Sequence, residues 1–334
     1  MRKLSYLPMC CLVGLTAVVL SGCASKRAAY TVVEEGSGSL RSTFDKKMST
    51  PEEQLKYAQL TWESGSLRKA ERRMLYLLRR WPSSKEAPEA ARARADILLE
   101  RGYTEKAFDA YQFLIDNYSG RMKGYDEVLE KQFIIAKKIM ERRRFRWIFG
   151  GYTTPEESID YFETMIRNGP QSEHAAEAQF LIGQCYQSEK EYELAIVSYQ
   201  ILGYRYPDSA YAEEAAWQQV QCLLLLHQKY PRNPDLRERL LTMTDLFNAL
   251  FPDSKYIEPI KKTRNDLYQT SADAVYDIGQ FYSKIAKKPE SAILYNEALK
   301  KEYPFSERAP EAEQQIKALE ETRPASAGKE KKDE

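Results

Sequence analysis

Histidine is nearly missing from this sequence. Only His174 and His227 occur in 334 residues, and neither has a second ligand at (i, i+4) to make a metal pair. No metal site and no histidine-assisted nucleophile is therefore expected. Glycine is also scarce, with 15 residues and no glycine-rich phosphate loop. An excess of one charge is lacking too: 50 Lys and Arg meet 49 Asp and Glu, a net +1, which argues against a nucleic-acid partner. Sustained period-two alternation is absent, and no Asn-Gly or Asp-Gly pair joins two alternating runs as a hairpin turn (Asn168-Gly169 runs into Pro170), so no strands are expected. Outside the repeats described below, residues 24–48 and 321–334 are too short and too polar to form a catalytic domain. The chain is read as a non-enzyme with no cofactor.

What is present begins at the N-terminus. Arg2 and Lys3 precede an uncharged apolar stretch from Leu7 to Leu20, too short to span a bilayer comfortably. Residues 1–22 read as a signal peptide. The stretch ends in Leu20-Ser21-Gly22-Cys23, which resembles the lipobox of bacterial lipoproteins. That resemblance implies lipid on Cys23, a mature chain starting there, and a membrane anchor without a spanning helix. Ala24 and Ser25 are not the Asp that in many enteric bacteria retains lipoproteins at the inner membrane. By that analogy the chain belongs on the outer membrane, facing the periplasm. Residues 23–48, with Gly36-Ser37-Gly38-Ser39, read as the lipidated Cys and a flexible tether. A coil of about 25 residues spans roughly 25–30 Å. Residues 321–334 read as a charged, disordered tail.

Between them, over 49–320, the chain repeats. The pattern Pro-x-Ser-x-x-Ala-x-x-Ala occurs as Pro82/Ser84/Ala87/Ala90 and Pro170/Ser172/Ala175/Ala178. It returns as Pro207/Ser209/Ala212/Ala215 and Pro304/Ser306/Ala309/Ala312. Pro252 and Ser254 keep the first half of it. Proline ends one helix, serine can cap the next, and alanines three apart let two helices approach. Twelve residues before these prolines stands a small residue (Ala70, Ser158, Ala195, Ala292). Ala107 holds the same place before Ser119. Four residues on comes a large one (Met74, Tyr111, Phe162, Tyr199), giving helical pairs that face one neighbour. Gly65 and Gly102 break the two helices of a unit. Cys185 and Cys222 each lie 13 residues after a motif serine. Equivalent points on stacked helices sit about 8–10 Å apart, beyond the reach of a disulfide, so two buried, unpaired thiols are expected.

This combination resembles the tetratricopeptide repeat, best in residues 178–207 with Gly183, Tyr186, Tyr192, Ala195, Tyr199 and Pro207. The resemblance implies an all-α solenoid of helical hairpins, a right-handed superhelix of five to six units. The third unit carries an insertion from Phe145 to Thr154, and the fifth and sixth are stretched. A lipobox followed by units ending Tyr-Pro-x-Ser-x-x-Ala is similar to the BamD (YfiO) type of outer-membrane assembly lipoprotein. That resemblance implies two kinds of protein partner, unfolded β-barrel clients and subunits of the barrel-inserting complex. The nearest rival is a repeat scaffold of pilus, cell-wall or division machinery, and a cell-wall hydrolase is a more distant one.

Five positions stand out as sites: Cys23 for the lipid, and Trp62, Trp217, Arg144 and Trp147 for partner or peptide binding. Trp62 and Trp217 fall in first helices of their units, where an aromatic can line a groove or pack the core. Residues 68–80 hold six cations against Glu71 alone, and residues 131–146 hold seven against Glu141 alone. Such runs are either docking surfaces for an acidic partner or lipid phosphates, or solvated helix faces. The second run has Phe145, Trp147, Ile148 and Phe149 beside it.

Overall fold

A computed structural model describes residues 47–146, 150–231 and 233–321. Cys23, the signal segment, most of the tether, Trp147 and the tail after 321 lie outside the described residues.

The helices follow the sequence periodicity. They are α1 (Pro51–Glu63), α2 (Leu67–Arg80), α3 (Ala87–Glu100), α4 (Thr104–Tyr118), α5 (Tyr125–Met140), α6 (Ile159–Asn168) and α7 (Ala175–Ser188). After them come α8 (Tyr192–Arg205), α9 (Ala212–Lys229), α10 (Pro234–Leu250), α11 (Ile257–Gln280), α12 (Pro289–Glu302) and α13 (Ala309–Glu321). Two compact units hold them: residues up to 101 with 109–121, and residues 102–108 with 122 onward. In the first, α1 packs on α2 and α2 on α3. In the second, each helix from α5 to α13 packs on the next. Short connections make the neighbours hairpins, the arrangement of a helical-repeat solenoid.

The expectation of no strands fails at one place. Arg143–Arg146 (β1) pairs antiparallel with Gly150–Thr153 (β2), with Arg144 opposite Tyr152. The insertion of the third unit is thus a hairpin rather than a plain loop. Its aromatic and branched residues favour extended backbone, and four-residue strands are too short to show alternation.

Each Pro-x-Ser corner is built the same way. The residue before proline (Trp81, Gly169, Tyr206, Phe251, Tyr303) has φ between −139 and −127° and ψ between 54 and 76°, outside the helical region that proline disfavours in its predecessor. Its N–H still closes the last helical turn, and its carbonyl accepts from the N–H of the serine. The serine carbonyl then accepts from the alanine N–H three residues on at four of the corners. Side-chain capping by the serine does not occur at three of them. The hydroxyls of Ser84, Ser172 and Ser209 are buried and meet no partner among the described residues. Backbone turns already satisfy the donors that a cap would serve. Tyrosine at the end of a helix latches the preceding corner: Tyr118 donates to the Pro82 carbonyl at 3.1 Å and Tyr206 to the Pro170 carbonyl at 2.9 Å. Tyr230-Pro231 makes a similar stop between α9 and α10, and Asn233 caps α10 through its side chain. The fifth unit is stretched by its helices, 18 residues in α9 and 17 in α10 against 14 each in α7 and α8.

All eight motif alanines are buried, as are the small-and-large pairs 70/74, 107/111, 158/162 and 195/199. Gly65 and Gly102 have φ of +77°, a left-handed turn that glycine enters without penalty. The same place, five residues before the small one, is held by Lys190 (φ 63°) and Lys287 (φ 50°). A residue with a Cβ is strained there. Lys190→Gly and Lys287→Gly should each raise stability by about 1 kcal/mol, read as a higher urea midpoint.

Cys185 and Cys222 are buried and unpaired, as the spacing required. Burial pushes the Cys185 thiol up to about 11 and the Cys222 thiol up to about 12. Both folded values exceed the unfolded one, so this stability is fully present below about pH 8.5 and is lost as pH rises. At pH 10 the two thiols together should cost about 4 kcal/mol relative to pH 7. The double variant Cys185→Ala/Cys222→Ala should show a smaller drop between the same two urea curves.

Candidate protein-binding surface

Two residues after four of the five motif serines comes a ring or a guanidinium (Glu86 follows Ser84 instead), and each of the four lies on an aromatic of the first helix of the preceding unit. His174 stacks on Phe133 (4.5 Å, 3°), Tyr211 packs on Phe180 (5.5 Å, 32°) and Tyr256 stacks on Trp217 (4.6 Å, 6°). Arg308 lies 5.0 Å over Tyr276. Carboxylates fix this ladder at its edge. Tyr256 donates to Glu214 at 2.5 Å, and Lys137 bonds Glu177 at 2.8 Å with His174 Nδ1 4.0 Å away. The hydrogen bond to Glu177 holds the Lys137 ammonium above its usual range. Trp217 is therefore half-buried, with Tyr256 across one face of its ring.

Trp62, in the other unit, is half-buried on α1 and donates its indole N–H to Glu100 at 2.8 Å. Gln59 reaches Glu89 at 2.7 Å. Both side chains are drawn onto α3, and Leu60 between them is the large apolar residue that α1 leaves 54% exposed.

The two cationic runs differ. In the second, Lys137 is held by Glu177, while Arg142 bonds Glu105 at 2.9 Å and Glu157 at 3.2 Å. Arg144 sits on β1. In the first run, Arg73 turns inward onto Tyr57 and Thr61, and Arg101 takes Glu71. Arg68, Lys69, Arg72, Arg79 and Arg80 stay exposed.

One apolar surface has no counterpart among the sites expected from the sequence. On α8, residues 194–204 carry no charge in a chain that is 30% charged. Ala195, Ile196, Tyr199 and Leu202 are buried against the neighbours. Leu194, Val197, Ile201 and Tyr204, three and four apart, are 37 to 88% exposed. A helix apolar on every side with one side in water is the signal that could have found it. Among the described residues no group of three metal-ligating side chains converges, and no helix is long and apolar enough to cross a membrane.

Residues 55–121 match the tetratricopeptide repeat family, and so do residues 177–209. Similar solved structures include a tetratricopeptide repeat protein from Parabacteroides merdae, 12% identical over 81% of this chain and 98% of that one (TM-score 0.29). A second is YrrB, described as having an unusual peptide-binding site, 15% identical over 63% of this chain and 90% of that one (TM-score 0.30). A third is PilW, a type IV pilus biogenesis factor, 13% identical over 79% and 99% (TM-score 0.27). No curated protein matches the chain.

Proposed function

We propose that this tetratricopeptide-repeat chain is a non-catalytic adaptor held on the outer membrane by lipid at Cys23, serving the assembly of β-barrel outer-membrane proteins. Its partners in that reading are unfolded barrel clients and subunits of the barrel-inserting complex. The observation that carries protein binding is the uncharged α8 face, where Leu194, Val197, Ile201 and Tyr204 offer an apolar strip to another polypeptide. Its place in the envelope rests on Leu20-Ser21-Gly22-Cys23 and on the resemblance of the Tyr-Pro-x-Ser units to the BamD type.

The test is co-purification from native membranes with crosslinking. The expected result is recovery of barrel-assembly subunits, reduced by Leu194→Ser/Ile201→Ser. Cys23→Ala should leave the chain out of the membrane fraction. Recovery of pilus or cell-wall components alone would overturn the assignment.

A further inference from the structure

We propose that the outer face of α2 docks on the headgroups of an anionic phospholipid surface. This goes beyond the adaptor reading and takes from it only the nearness of a bilayer.

Arg68, Lys69, Arg72, Arg79 and Arg80 are all exposed. At 100° and 1.5 Å per residue they fall within an arc of about 120° over a length of about 18 Å. The opposite face of the helix (Ala70, Met74, Leu77, Leu78) is buried, which fixes the direction of the cations. The one acid of the helix, Glu71, is held by Arg101, so the exposed arc is cationic throughout.

Three observations favour lipid over an acidic protein. First, α2 exposes no large apolar side chain among its cations: the one ring in the arc, Tyr76, is half-buried against Trp81 and beneath Lys47. Stable protein interfaces centre on aromatic or aliphatic anchors, whereas a fluid array of phosphates needs none. Second, two of the cations stand where they oppose the helix. Its first turn holds Arg68 and Lys69 and no acid, and its N-cap makes no side-chain bond. Positive charge at that end works against the helix dipole, and such a local conflict is expected at functional positions. Third, the chain enters the described structure on this helix, with Lys47 5.4 Å over the Tyr76 ring. The Lys47 ammonium thereby adds a further cation to this face.

The unlipidated chain from residue 24 to 334 is sedimented with phosphatidylcholine vesicles, alone or containing about one-third phosphatidylglycerol. The expected result is binding to the anionic vesicles only, weakening as salt is raised. The variant Arg68→Glu/Lys69→Glu/Arg72→Gln/Arg80→Gln should bind on the order of a hundredfold more weakly. Acids in the first turn suit the dipole, so this variant keeps its fold, checked by circular dichroism. Equal binding to neutral vesicles, or unchanged binding by the variant, would overturn the proposal. So would competition by inorganic phosphate beyond that of chloride at equal ionic strength, or capture of an acidic protein alone through these cations. No partner protein is in the assay, so its outcome is separable from that of the co-purification.

Discussion

Gly183→Ala lowers stability by about 2 kcal/mol although it replaces glycine by the best helix former. An added Cβ would stand 2.4 Å from Cε1 of Tyr199, and 2.6 and 2.7 Å from two more atoms of the ring. That ring is fully buried and its hydroxyl donates to Gln187 at 2.8 Å, so it has no free volume to move into. The gain in helix propensity is about 1 kcal/mol, and overpacking a filled core costs about 3 kcal/mol here. Gly203 supplies the internal control. It lies exposed on α8 with nothing within 4 Å of an added Cβ, so Gly203→Ala should stabilise by up to about 1 kcal/mol. Combining Gly183→Ala with Tyr199→Ala removes the clash, so the double variant should lose less than the sum of the two singles. Urea melts followed at the helix band read all four proteins. Equal midpoints for Gly183→Ala and the parent would refute the close approach of α7 and α8.

Tyr111→Ala should cost about 4 kcal/mol, and Tyr111→Phe about 1 kcal/mol. The ring is fully buried in the first unit, at the large position of its small-and-large pair with Ala107. Its hydroxyl donates to Asp96 at 2.5 Å. Burial first, then the Asp96 carboxylate, raises the phenol well above the ordinary tyrosine range. The gap between the two variants separates the filled volume from the hydrogen bond. Above about pH 10 the unfolded phenol ionises and the folded one does not, so the parent loses stability there. Tyr111→Phe should lose less over the same range. A gap near zero between Ala and Phe would mean that the site collapses around the missing ring.

Much of this was legible in the chain because it repeats. Pro-x-Ser-x-x-Ala-x-x-Ala gives the corners, the helix starts and the buried alanines in one pattern, since one backbone turn recurs and admits few residues. Cys185 and Cys222 could be kept apart by counting alone. The hairpin at 143–153 was illegible because four residues hold no measurable period. Lys190 and Lys287 were illegible by type, since lysine has no preference for a left-handed turn; only their register with Gly65 and Gly102 marks them. The sites were harder still. Trp217 reads the same whether it faces a groove or carries Tyr256, because its partner lies 39 positions away (256 − 217). Trp62 was visible as an aromatic, but its pull toward Glu100 left Leu60 as the open residue. The α8 face escaped notice because apolar residues inside a helix are ordinarily assigned to the core.

The stacking of corner rings on the first helix of the preceding unit has a bearing on ancestry. His174 sits on Phe133 and Tyr211 on Phe180, so a copied stretch of 172–208 would bring His174 onto a second Phe180. The joint so created, His174 on Phe180, again sets a ring on a ring. A gene of this kind can grow or shrink by whole modules without inventing a new joint, and the reach of the scaffold becomes a quantity that inheritance can adjust.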